Sequence, residues 1–467
     1  MSGARLSILG AALLSLVGCA VGPDYREPEP DPAARAPFAG ADVDAFVPEP
    51  PRDDWWRLYD DPVLDAVVTE ALDANTDLRA AAANLARANA VLREARGERL
   101  PATTFSAGST SGRQNFVQQG FSFEDTIYDV GFDVSYQLDL FGRVTRAIQA
   151  ARADAQAVEA VHRTVQITVA AETARAYVAA CAARLELAAA ERSLALQRET
   201  QALTERLYEA GRGTALDVAR ASAAAEQTRA AIPTLEAAHS TALYRLAVLM
   251  GRAPTEFPVQ AAECEAPPST DAPIAVGDGE LLLARRPDIR EAERRLAAAT
   301  ARIGLATSQL YPSVSLAGTA GAVALSTSDL DSGDASRWTF GPLLRFSFPN
   351  RTIARTRVAQ AEADAEAALA AFDGAWLNAL REVESTLADY AKELERRAAL
   401  EAARAHAENA SRLVDARFDA GQVSLLDVLQ ADLALAETEM ALARSQARAA
   451  DLEVALFLAL GGGWGTR

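Results

Sequence analysis

Tyr208-Glu209-Ala210-Gly211-Arg212-Gly213-Thr214-Ala215-Leu216-Asp217-Val218 has a counterpart far downstream in Phe418-Asp419-Ala420-Gly421-Gln422-Val423-Ser424-Leu425-Leu426-Asp427-Val428. Glu/Asp, Ala, Gly, Thr/Ser, Leu, Asp and Val recur in the same order with no gap, inside the longer matching stretches Leu203–Gly251 and Leu413–Gly461. The match continues outward. Asp77-Leu78-Arg79 answers Asp288-Ile289-Arg290, Leu100-Pro101 answers Tyr311-Pro312, and Arg143 after one aromatic strand answers Arg351 after another. The spacing between copies is roughly constant, which fits duplication of a whole unit. A Pro-rich linker, Ala253 to Pro273, joins the copies.

Each copy has the same inner order. A helix (about Pro62–Arg99, then Gly279–Gln309) precedes two alternating strands. A very long helix follows (about Gly142–Ala210, then Arg351–Ala420). It ends in a tight turn at Gly211 or Gly421, and a shorter helix closes the unit (about Ala215–Met250, then Leu425–Leu460). A helix of roughly 70 residues is about 105 Å long, more than a compact domain holds. The two shorter helices of each unit together match it. The long helix therefore runs away from the strands and the two short ones return. The boundaries are residues 1–18 for a signal peptide, 19–61 for a lipidated N-terminal segment, 62–251 for the first repeat, 252–278 for an equatorial linker, 279–461 for the second repeat and 462–467 for a tail.

From Tyr128 the chain alternates Tyr128, Val130, Phe132, Val134, Tyr136, Leu138 with Asp129, Gly131, Asp133, Ser135, Gln137. Trp338, Phe340, Pro342, Leu344, Phe346 and Phe348 repeat the pattern. Period two puts one set on each face of a strand. Their partners, around Thr103–Ser111 and Pro312–Ala322, are richer in Ser, Thr, Gly and Ala. A half-buried soluble sheet gives the same alternation, but aromatic residues at strand ends resemble the girdles of membrane barrels. Apart from the N-terminus, every long apolar run is soon broken by Glu, Arg or Asp, so a membrane crossing would have to use strands. Four strands cannot close a barrel, and three copies would supply about twelve.

The N-terminus reads as a secretion signal. Arg5 precedes the apolar run Leu6–Val17, which is too short to span a membrane. It ends Leu16-Val17-Gly18-Cys19, which resembles the lipobox of bacterial lipoproteins, with Cys19 as the lipidated residue. Ala20 after it points to the outer membrane. The alternative is an ordinary signal peptide that happens to contain Cys. The net charge of −18 argues against nucleic acid as a partner, since phosphate needs a basic face. Half the chain is hydrophobic, much of it Ala, which suits closely approaching helices.

Several motifs are specific in combination. They are Val21-Gly22-Pro23-Asp24-Tyr25, Trp55-Trp56 ahead of Asp61-Pro62, Leu138-Asp139-Leu140-Phe141-Gly142-Arg143, Arg285-Arg286-Pro287-Asp288-Ile289 and the two Gly turns. Nearly the whole mature chain resembles the outer-membrane factor (TolC-like) family, in its NodT/OprM-type lipoprotein branch. The resemblance implies a mainly α fold with a small β part. It also implies a homotrimer whose twelve-stranded barrel in outer-membrane lipid continues into a periplasmic α-helical barrel. Its implied partners are a periplasmic adaptor protein and an inner-membrane RND-type transporter. The tips would carry Gly211, Thr214, Asp217, Phe418, Gly421 and Ser424. The aperture would be formed by Leu426, Asp427 and Gln430, with Asp427 supplying a carboxylate ring. Capping near a helix N-terminus is the other reading of Asp217 and Asp427, and it fits Asp217 well. Where TolC has a latch tyrosine and a latch arginine this chain has Phe418 and Val423, so closure should lean on Leu426 packing.

No catalytic constellation is present. There is no His-Glu-x-x-His, Thr110 occupies the nucleophile position between Gly108 and Gly112, and no Lys-Ser/Thr follows Gly461-Gly462-Gly463. His162, His239 and His406 lie in helical patterns and read as surface residues. No cofactor is expected beyond a covalent lipid on Cys19. The function expected is a passive exit duct for small molecules such as drugs or metal ions, driven by a partner. A duct for protein secretion and a pore-less coiled-coil lipoprotein scaffold are the alternatives, because a fold does not name its cargo. Cys181, midway along the first long helix, and Cys264, in the linker, form a disulfide in an oxidising periplasm or remain two free buried thiols.

Overall fold

A computed structural model describes residues 20–29, 31–116, 121–270, 272–346 and 351–462. Cys19, the signal segment, Phe348 and residues 463–467 lie outside the described residues. The elements run in the order β1 (Phe46–Val47), α1 (Pro62–Ala74), α2 (Thr76–Gly97), β2 (Ala102–Phe116), β3 (Phe121–Leu138), α3 (Arg143–Glu209) and α4 (Ala215–Leu249). There follow α5 (Val259–Ala262), β4 (Ile274–Ala275), α6 (Gly279–Arg285), α7 (Pro287–Ser308), β5 (Ser313–Ala324), β6 (Ser336–Arg345), α8 (Arg351–Asp419) and α9 (Leu425–Ala459). The long helices and the closing helices fall within a residue or two of their expected bounds.

The opening helix of each copy differs from the expectation, because it is broken in two. In the first copy Asn75 leaves the helix (φ −59°, ψ 134°). Its Oδ1 accepts from the N–H groups of Asp77 and Leu78, restarting the chain as α2. In the second, Arg286 is extended (φ −68°, ψ 120°) because Pro287 disfavours helix at the residue before it.

The chain divides into two compact units, and neither coincides with a repeat. One gathers Asn84–Glu159 and Glu291–Asp373 with the N-terminal segment up to Glu29. It holds a four-stranded antiparallel sheet in the order β2-β3-β5-β6. The strand pair of each copy is thus completed by the other copy through β3 and β5. The α7 helix lies against the start of α3, where Arg302 meets Asp154 at 2.6 Å. Ala153 packs there with Ala297 and Ala298, and alanines let the helix axes approach closely.

The other unit comprises Pro30–Ala83, Ala160–Arg290 and the chain from Gly374 onward. Its helices bury mainly small residues, among them Ala170, Ala171, Ala174, Ala180 and Ala190 of α3. The N-terminal segment straps this bundle. Trp55 stacks on Phe457 at 4.8 Å, and Glu384 accepts from the N–H groups of Ala39 and Gly40. The strands β1 and β4 form a short parallel pair, Phe46 opposite Ile274, that ties this strap to the linker. Cys181 and Cys264 are bonded, with Cα atoms 5.1 Å apart and a sequence separation of 83.

Candidate channel wall and aperture

Directly paired residues share a face of a sheet. Reading across all four strands gives the rows Phe105, Phe132, Ala320, Trp338, then Thr103, Val134, Gly318, Phe340. Tyr136, Leu316, Pro342 and Leu138, Val314, Leu344 extend the same face. The intervening rows are Ser106, Gly131, Gly321, Arg337 and Thr104, Asp133, Thr319, Thr339. One face is therefore apolar from edge to edge and the other polar. Small residues at 318 and 320 make room for the neighbouring rings, and a Cβ at Gly318 would stand 3.2 Å from the Phe340 ring. Trp338 and Phe340 remain 78% and 74% exposed. A contiguous aromatic face of this kind needs a partner other than water. On the polar face Arg337 pairs with Asp129, and the hydroxyls of Thr319 and Thr339 meet at 2.8 Å. β2 and β6 each have one paired edge among the described residues.

The Gly turns are built alike. Gly211 and Gly421 adopt φ of +71° and +69°, a conformation that favours glycine. Gly211 N–H donates to Tyr208 O and Arg212 N–H to Leu207 O, and Gly421 to Phe418 O and Gln422 to Arg417 O. These are Schellman closures of the last helical turn. Thr214 and Ser424 then cap the returning helices. Asp217 Oδ2 accepts from Thr214 N–H at 3.1 Å and Asp427 Oδ2 from Ser424 N–H at 2.8 Å. Hydrogen bonds from these hydroxyls hold both carboxyls below the ordinary range. The capping role expected for Asp217 is thus shared by Asp427. Leu426, Asp427 and Gln430 all lie on the exposed side of the first turns of α9, whereas Val428 and Leu429 are buried.

A match to known proteins fits this architecture. A sequence profile described as outer membrane efflux protein matches residues 67–252 and 279–462. The chain belongs to the outer membrane efflux protein family. It is 30% identical to nodulation protein T of Rhizobium leguminosarum bv. trifolii, over 97% of this chain and 96% of that one. It is 31% identical to the probable efflux pump outer membrane protein TtgC of Pseudomonas putida, over 98% and 96%. Among solved structures, the outer-membrane channel OprN superposes with a TM-score of 0.91 at 35% identity, covering 96% of this chain and all of that one. The chain is accordingly an outer-membrane transport protein and not an enzyme. It is mainly helical with a small sheet.

The motifs that carry the family likeness have structural duties in this efflux protein. Next to Cys19, the segment Val21–Tyr25 sits in a socket. Arg146, almost fully buried, donates to the carbonyls of Val21 and Gly22 at 3.1 Å and pairs with Asp24 at 2.9 Å. Gly22 (φ +87°) lies so close to Gly304 that a Cβ would come within 2.4 Å of its Cα. Asp61 caps α1 and also accepts from Tyr177 OH at 2.9 Å. No helix among the described residues is long and apolar enough to cross a membrane. His162 and His239 are half-buried and His406 is exposed.

Sequence reasoning missed the buried acids, two of which lie on α9. Asp432 of α9 accepts from Thr200 of α3 at 2.9 Å and from Ser411 of α8 at 3.1 Å, and burial raises its pKa. Glu453, 2% exposed, accepts from Tyr390 OH at 3.4 Å, while its Oε1 has no partner, and burial pushes its pKa up to about 7. Both acids occupy positions that helical periodicity marks as inward, which is the one signal that could have found them.

Proposed function

We propose that this protein is the exit duct of a tripartite efflux system, passively conducting small molecules such as drugs or metal ions expelled by an inner-membrane pump. The observation that carries this reading is the sheet. Its apolar face suits lipid, its polar face suits a water-filled pore, and its two half-paired edges need strands from other copies. An unpaired edge in hydrocarbon costs several kcal/mol per backbone group, on the order of the cost of any unsatisfied polar group in lipid. Three copies close a twelve-stranded barrel without edges, and the Ala-rich helices continue it as a periplasmic tunnel. Cys19 carries lipid, and the Arg146 socket holds the adjoining chain at the end of the sheet nearest the helices. The tips around Gly211 and Gly421 face a periplasmic adaptor and an RND-type transporter, and Leu426, Asp427 and Gln430 line the aperture. The Cys181–Cys264 disulfide forms on export.

Reconstitution into a planar bilayer tests the duct. Stepwise conductance from a species that native mass spectrometry weighs as a trimer is expected. A monomer, or a trimer without conductance, would overturn the reading. Labelled palmitate should enter the wild type and not Cys19→Ser, and equal labelling of both would remove the lipid anchor from it.

A further inference from the structure

The ionisable groups on the polar face of the sheet are Asp125, Asp129 and Asp133 of β3 and Arg337 and Arg345 of β6. They are not equivalent. Asp125 pairs with Gly112 beyond the end of β5, whose last partner on β3 is Tyr128, so it stands outside the four-stranded part. Arg337 reaches across glycines to Asp129. Gly321 and Gly131 are its neighbours in the row, and a Cβ on Gly131 would lie 3.6 Å from a terminal nitrogen of Arg337. The pair it makes with Asp129 is neutral as a unit. Asp133 stands in the next row, between Thr104 and Thr319, with Thr339 beyond. The hydroxyls of Thr319 and Thr339 bond each other. Among the described residues no hydrogen bond or ion pair engages the Asp133 side chain. Arg345 is opposite Ser313 and lies about 20 Å further along β6 than Thr339, at roughly 3.4 Å per residue. That is about twice the screening length at 0.1 M salt.

We propose that Asp133 is a specificity-determining residue of the barrel, a cation filter separate from the aperture at the helix tips. The proposal rests on the duct reading, which turns the polar face toward the pore. Threefold closure repeats the row around the lumen as one carboxylate per copy set among threonine hydroxyls, with no cation in the row. Hydroxyls solvate a passing ion without holding it, and conduction needs such weak contact. Asp129 contributes little, because Arg337 travels with it around the same ring. A twelve-stranded barrel is wide, so the Asp133 carboxylates act on solutes through water. Their reach is then the screening length, about 30 Å at 0.01 M salt and about 3 Å at 1 M. The filter should therefore be strong in dilute salt and vanish in concentrated salt.

The test is the reversal potential of the full-length protein in a planar bilayer under a potassium chloride gradient. The variants are Asp133→Asn and Asp133→Cys, with Val134→Cys, one residue along and on the apolar face, as the control. Cys181 and Cys264 are bonded to each other, so the wild type reports the background of thiol labelling. The potassium-to-chloride preference of Asp133→Asn should fall about twofold or more near 0.01 M salt and match the wild type at 1 M. Asp133→Cys should lose the same preference. A sulfonate-bearing methanethiosulfonate should restore it, and a trimethylammonium-bearing one should lower it further, a charge-dependent rescue that a merely structural role would not give. Neither reagent should alter Val134→Cys. Wild-type selectivity in a conducting Asp133→Asn at low salt, or no difference between the two reagents on Asp133→Cys, would overturn the filter. Labelling of Val134→Cys in place of Asp133→Cys would turn the sheet the other way and overturn it too. Absence of conductance in the wild type itself would instead remove the duct reading on which the filter rests.

Discussion

The side-chain amide of Asn75 donates to the backbone carbonyl of Leu249 at 2.9 Å, across 174 residues of chain. Arg286 makes the equivalent bond in the second copy, from Nη1 to the carbonyl of Ala459 at 2.7 Å and 173 residues away. The kink that interrupts each opening helix is thus the seat for the C-terminus of the closing helix of the same repeat. Gly251 and Gly461 (φ +72° and +82°) complete the two seats, since a Cβ on Gly251 would lie 2.6 Å from Ala74 O.

Removing Asn75 should cost stability rather than conductance. Asn75→Ala strips the α2 cap and leaves Leu249 O without its donor, a loss on the order of 2 kcal/mol. Arg286→Ala should cost at least as much, because Asp288 and Glu382 lose their common partner. The melting temperature should shift downward in both, with single-channel conductance retained. Unaltered melting in both variants would show that the seats contribute nothing.

Asp427→Asn should separate charge from capping. An amide oxygen still accepts from Ser424 N–H, so the first turn of α9 persists while the carboxylate disappears. Cation preference in single-channel recordings should fall, and Leu426→Ala should raise the resting conductance. Asp217→Asn, with the same cap on the other hairpin, is the control and should leave selectivity alone. Since its hydrogen bonds lower the Asp427 pKa, the wild-type preference should persist on mild acidification and fade only as pH falls through that depressed value. Identical conduction by both α9 variants would place the constriction elsewhere.

Glu453 should make stability depend on pH in the direction opposite to that of a salt-bridged acid. Burial raises its folded pKa to about 7 from the ordinary 4.5. Above pH 4.5 the unfolded chain is ionised while the folded one still holds the proton, so the penalty on folding grows between pH 4.5 and 7 and is constant beyond. Glu453→Gln should therefore raise the melting temperature at pH 8, by up to roughly 3 kcal/mol of stability, and have little effect at pH 4. A gain of equal size at both pH values would point to packing instead of ionisation.

The disulfide closes a long loop, and its removal should be felt in the unfolded state. Cys264→Ser should cost about 2–5 kcal/mol, the range for loss of a native disulfide. Unfolded, unreduced mature protein should show no reactive thiol at Cys181 or Cys264. Two titratable sulfurs would end the proposal.

The sequence by itself determined what depends on neighbours along the chain. The two Gly turns, the lengths of α3 and α8, the return helices α4 and α9 and the two-faced alternation of β3 and β6 were all legible, since left-handed glycine and periods of 3.6 and 2 act locally. The likeness of the two turns was legible too, because the same residue types recur at both. The tertiary structure decided what depends on residues far apart. The break at Asn75 carries no Gly or Pro, and the bond from its amide to Leu249 O, 174 residues away, is set by the tertiary structure. The pairing of β3 with β5 follows from register between copies, which no single strand encodes. Arg146, Asp432 and Glu453 looked like the many other charges on Arg- and Glu-rich helices. Only packing made them interior, by removing the water that solvates most such groups on these helices.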